Sequence, residues 1–169
     1  MSASTPAKQR VRRLSVMKIP RIPQVWIKRG LLALLALLVL IQLVPYGRDH
    51  SNPPVVAEPA WDSPQTRELA VRACFDCHSN EVVWPWYSHV APISWLVQYD
   101  VDEGRHELNF SEWHDGQEGH EAAETVRDKE MPPRQYLWTH SNARLTDTEL
   151  AALNAGFIAT FGDEEEDDD

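Results

Sequence analysis

The sequence predicts an all-α protein: a single apolar helix near the N-terminus, then one small helical domain with unusually long connections. Three observations lead there. Leu31 to Val44, LLALLALLVLIQLV, is uncharged and composed of good helix formers. Four later stretches read as helices, three on apolar spacing and one polar, each bounded by a capping residue, a proline or a glycine. No strand-like alternation and no internal repeat appears anywhere in the chain.

The charge is divided as sharply as the hydropathy. Eight Lys and Arg and no acidic residue precede Leu31, a net +8, whereas the chain after Tyr46 holds eight basic residues against all 26 acidic ones, a net −18. Residues 1–29 therefore form a basic arm, and the positive-inside rule puts that arm in the cytoplasm. The apolar run, extended by Gly30 and by Pro45-Tyr46, is shorter than the roughly 20 residues of a comfortable span. A secretory segment and a buried helix are the alternatives. Leu43-Val44-Pro45-Tyr46-Gly47 is too bulky for a small-x-small cleavage site, which favours an uncleaved signal anchor over residues 30–46. The expected location is a bacterial inner membrane crossed once, with the acidic part in the periplasm.

Residues 47–60, GRDHSNPPVVAEPA, are Pro-rich and without helical period, an extended spacer expected to lift the domain off the bilayer. The folded part is expected over residues 61–162. Ser63 followed by Pro64 is an N-cap with proline at the first helical position, opening a helix to about Cys77. Pro92 opens a second helix to about Gly104, with Ile93, Leu96, Val97 and Val101 on a common face. A third, polar helix covers about Glu118 to Lys129, ahead of Met131-Pro132-Pro133. Thr146 and Glu149 form a capping box for a fourth, with Leu150, Leu153, Phe157 and Phe161 in a stripe and Gly162 past its end. The acidic tail 163–169 is expected to be disordered and solubilising.

The chemistry lies in Cys74-Phe75-Asp76-Cys77-His78, the C-x-x-C-H pattern of c-type haem attachment. Two thiols at that spacing can form thioethers to the vinyl groups on one edge of a porphyrin. The histidine that follows can turn its imidazole onto the iron. A disulfide, a redox dithiol and half a zinc site are the alternatives. A dithiol oxidoreductase needs a βαβ context that is absent, and His89, His106, His114, His120 and His140 are too scattered to complete a zinc set. The exported part thus reads as a small cytochrome c-like helical domain whose long loops wrap one covalent haem c.

The segments TRELAVRACFDCHSNE, VVWPWYSHVAPISWLV, NFSEW (109–113), EMPP (130–133) and RLTDTEL resemble the haem-binding domain family of short, membrane-anchored bacterial monohaem proteins. The resemblance runs from about Asn52 to Phe161. It implies a covalent haem c, with Cys74 and Cys77 as attachment points and His78 as axial ligand, and says little about reaction or partner.

Met131 is the leading candidate for the sixth ligand, since Pro132 biases it toward extended backbone and it sits in a loop between two expected helices. His89 and His140 compete, and an open site is the third possibility. Trp84, Trp86, Tyr87, Trp95, Trp113, Tyr136 and Trp138 are candidates to line the porphyrin, or else ordinary core. Arg127, Lys129 and Arg134 are candidates to neutralise propionates, or else surface charge. Electron transfer with redox partner proteins in or at the inner membrane is the favoured function, because His/Met ligation raises the potential and keeps the iron six-coordinate. A peroxidase-like enzyme needs a vacant iron and a distal His106 or His120. A sensor needs an output domain, and the basic arm has none that is recognisable. No nucleic-acid partner is expected.

Overall fold

The computed structural model describes residues 23–114 and 116–162. The basic arm lies mostly, and the acidic tail entirely, outside the described residues. Among the described residues the chain is all-helical: α1 (Gln24–Ile41), α2 (Pro64–Ala73), α3 (Phe75–His78), α4 (Ile93–Glu107), α5 (Gly119–Arg127) and α6 (Asp147–Phe161). Single helical turns occur at Trp86–His89, Tyr136–Trp138 and Ser141–Ala143. Extended pairing among these residues is one isolated parallel bridge between Ala57 and Glu112.

The chain divides into two units, between Leu37 and Leu38. The first holds most of α1, whose side chains are exposed. At 1.5 Å per residue its 18 residues span about 27 Å, close to the hydrocarbon thickness of a bilayer. By length and composition it is suited to crossing a membrane. The helix begins at Gln24 and ends at Ile41, several residues before the span read from hydropathy. Gly30 has nothing near it and does not interrupt the helix. Past Ile41 the backbone tightens, with Leu43 N bonded to Leu40 O at 3.0 Å and Val44 N to Ile41 O at 3.2 Å, before Pro45.

In the second unit α6 packs on α5 and α2. Its start is the expected capping box, with the Thr146 hydroxyl accepting from Glu149 N and the Glu149 carboxylate accepting from Thr146 N. Leu153 and Phe157 are fully buried against Leu69, Ala70, Phe75 and Phe110, each such side chain contributing about 1.5–3 kcal/mol. Gly156 lets α6 approach α2, since a Cβ there would lie 2.1 Å from Thr66 Oγ1.

One expectation is corrected, and two segments gain detail that the sequence does not carry. The helix read as Pro64 to Cys77 breaks at Cys74, whose φ of −123° ends α2 and lets α3 restart. The break turns Phe75 into the aromatic core, stacked on Phe110 at 5.5 Å between ring centroids. The second helix buries Ser94, Gln98, Val101 and Gly104, and leaves Ile93 and Leu96 outside. Small residues face inward because the backbones meet: a Cβ on Gly104 would lie 2.6 Å from the Cys77 carbonyl oxygen. The segment 47–60 is extended, but it lies along the domain. Asn52 exchanges hydrogen bonds with Val82, Val56 N bonds Ser111 O at 2.8 Å, and Trp113 N bonds Ala57 O at 3.0 Å.

Candidate functional site

Cys74, Cys77 and His78 come together on the single turn of α3. The Cys74 carbonyl accepts from Cys77 N at 3.1 Å and from His78 N at 2.9 Å, which winds the motif tightly. Both cysteines are unpaired and half-buried. Burial pushes both thiols up to about 12. A redox dithiol needs a low-pKa thiolate, so this environment disfavours that alternative. Among the described residues no three His, Cys, Asp or Glu side chains gather as a metal-binding group, as a zinc site requires.

His78 is held by a contact thirty residues along the chain. Its Nδ1 lies 3.0 Å from the Leu108 carbonyl oxygen. A carbonyl only accepts, so Nδ1 carries the proton and Nε2 keeps its lone pair, the tautomer a metal ligand needs. Burial lowers the pKa of His78 against the opposing pull of the Leu108 and Gly104 carbonyls, keeping the ring neutral. Leu108 is held there by the NFSEW segment that follows it. Phe110 N bonds His78 O at 2.8 Å, Asn80 N bonds Ser111 Oγ at 3.0 Å, and Asn109 Nδ2 donates to Asn80 Oδ1 at 3.1 Å.

Asp76, inside the motif, ties down the loop that carries Met131. Its Oδ2 accepts from the Tyr136 hydroxyl at 2.7 Å and its Oδ1 from Val83 N at 2.9 Å. Burial and the adjacent Asp76 charge raise the Tyr136 pKa well above the ordinary phenol value. Tyr136 stacks on His140, with centroids 3.9 Å apart, and Tyr87 Oη lies 3.0 Å from Thr139 Oγ1. Met131 itself sits at the head of this loop, 37% exposed, its N bonded to Thr125 O at 3.2 Å.

The other candidates divide. Trp84 and Trp95 have buried indole N–H groups without a partner among the described residues. Trp95 stands on α4, the helix packed on α3. Unsatisfied buried donors are rare, and an acceptor on a bound group is one way to satisfy them. Trp113 stacks on Phe161 at 4.8 Å as core, while Trp86 and Trp138 are exposed. Arg127 pairs with Glu124 and Asp128, and Lys129 with Asp147, so both serve as surface charge. Arg134 and His106 are exposed and His120 is half-buried. His89 sits edge-on to His50, which also stacks on Trp84. Sequence reasoning missed Asp76, His50 and the Leu108 carbonyl. A histidine partnered by a remote backbone carbonyl leaves no residue-type signal.

A small helical domain presenting C-x-x-C-H, with the histidine's Nδ1 bonded to a backbone carbonyl and its Nε2 available, has the donor set of a haem protein. The model of the haem-binding domain family matches residues 36–159, and the chain belongs to that family. No curated protein and no solved structure matches it.

Proposed function

We propose that this haem-binding protein is a membrane-anchored c-type cytochrome that transfers electrons. The reading is carried by the joining of the C-x-x-C-H turn to the Leu108 bond that orients His78. When bound, haem supplies a one-electron iron couple. Cys74 and Cys77 would hold it through thioethers, and His78 would offer Nε2 to the iron. The Leu108 carbonyl sets the tautomer and raises the ligand's basicity. The unpartnered Trp84 and Trp95 indole N–H groups would be free to donate to the haem's carboxylates. Met131 would offer the iron a soft thioether, which favours the reduced metal. α1 holds the protein in the bacterial inner membrane with the arm in the cytoplasm and the acidic domain in the periplasm, where a redox protein in or at that membrane exchanges electrons with it.

The covalent link is tested by acid-acetone extraction of the denatured full-length protein. Haem stays with the polypeptide, and Cys74→Ala together with Cys77→Ala abolishes that retention. Haem that extracts freely from the unmutated protein overturns the c-type reading. Met131 is tested by the weak sulfur-to-iron charge-transfer band of the oxidised protein, which Met131→Ala removes while lowering the potential. An unmutated protein that lacks the band and binds carbon monoxide has an open iron, which transfers the reading to a peroxidase-like enzyme.

A further inference from the structure

The outer face of α4 is apolar at one end and acidic at the other. Ile93 is 49% exposed and Leu96 55%, and Val90 just before the helix is 45% exposed. Asp100, Asp102 and Glu103 follow further along the helix. A single exposed Leu needs no explanation, whereas a cluster on an acidic domain does.

This apolar end is joined to the chain that leaves α1. Gln42, the first residue after α1, accepts from Ala91 N at 3.0 Å and donates to Ala91 O at 2.9 Å. Gly47 lies so close to Ser94 that a Cβ on it would be 2.7 Å from the Ser94 carbonyl. Leu43 and Val44, between these two points, are exposed apolar residues. Tyr46 and Tyr99 are also exposed. The start of α4 therefore stands one side-chain hydrogen bond from the point where the apolar run ends.

We propose that Val90, Ile93 and Leu96, with Tyr46 and Tyr99 at their edge, form a membrane-contacting face that rests in the headgroup region of the bilayer that α1 enters. The proposal builds on the reading of α1 as a membrane anchor. The side-chain chemistry fits that depth: aliphatic groups reach the acyl boundary, and tyrosines favour the interface, with an apolar ring and a wet hydroxyl. The contact is apolar, because an acidic domain gains nothing electrostatically from anionic headgroups. Its consequence is a domain seated on the membrane at fixed height, within reach of partners embedded there.

The test uses full-length, haem-loaded protein in nanodiscs of phosphatidylcholine. A ketone-bearing residue with a coupled spin label replaces Leu35, Ile93, Leu96 or Ala151, one at a time, with the haem spectrum reporting an intact fold. Accessibility to oxygen and to a water-soluble nickel chelate gives the depth of each label. The label at 35 is shielded from nickel, the label at 151 is open to it, and labels at 93 and 96 show nickel accessibility several-fold below that at 151. Labels at 93 and 96 that match 151, with 35 shielded, overturn the proposal and leave the anchor standing. A label at 35 that matches 151 overturns the anchor, and the proposal with it.

Discussion

Replacing Tyr136 by Phe removes one hydroxyl and leaves the ring. The lost bond runs 2.7 Å to the Asp76 carboxylate, and hydrogen bonds to charged groups contribute about 1.5–3 kcal/mol. Asp76 still accepts from Val83 N, so the carboxylate is not stripped of partners, and the lower part of that range, about 1.5–2 kcal/mol, is expected. The Phe ring keeps the stack on His140, which isolates the hydroxyl as the cause. For a domain of this size that loss corresponds to roughly 5–10 °C in Tm. The assay is urea unfolding of haem-loaded protein followed by the Soret band, with Asp76→Ala and the double variant completing a cycle. Protease cutting within residues 131–140 increases in parallel, because the bond ties that loop to the motif. A cost below about 0.5 kcal/mol, the scatter of ordinary surface substitutions, or a cycle without coupling refutes the claim that this bond holds the loop.

Gly104→Ala raises intrinsic helix propensity by about 1 kcal/mol, yet its Cβ meets the Cys77 carbonyl oxygen at 2.6 Å. Overpacking against backbone costs about 1–3 kcal/mol, so a lower urea midpoint and less bound haem are expected. A variant at least as stable as the unmutated protein shows that α3 and α4 separate freely. The Glu149 carboxylate is lowered from the ordinary 4.5 to about 2, first by the Thr146 backbone N–H and then by Arg72. Its stabilisation is complete above pH 4.5 and is lost as pH falls from there through about 2. Glu149→Gln lowers stability at neutral pH and flattens the acid limb of the urea midpoint in that window. An unchanged acid limb means that other carboxylates set it.

Elements closed by near neighbours were legible before any fold was known. The capping box at Thr146 spans three residues, the Ser63 cap with Pro64 acts within one turn, and the C-x-x-C-H motif is complete in five positions. α4 shows where such reasoning stops. Apolar spacing puts Ile93, Leu96, Val97 and Val101 on a common face, and spacing alone does not say which part of that face turns inward. The structure buries Ser94, Gln98, Val101 and Gly104, since the approach of the Cys77 backbone rewards small side chains more than large ones.

The sequence by itself determined that the chain is helical, that it carries an apolar segment beside a basic arm, and that a C-x-x-C-H motif stands at the end of a capped helix. Each rests on groups within about a helical turn of one another, or on composition summed over a segment. Tertiary structure decided the break at Cys74, the tethering of residues 47–60, the bond from His78 to Leu108 and the latch from Asp76 to Tyr136. The partners in the last two are 30 and 60 residues apart. Which backbone carbonyl or hydroxyl arrives at such a site depends on how the helices stack, and stacking is settled by the whole core rather than by any local spacing.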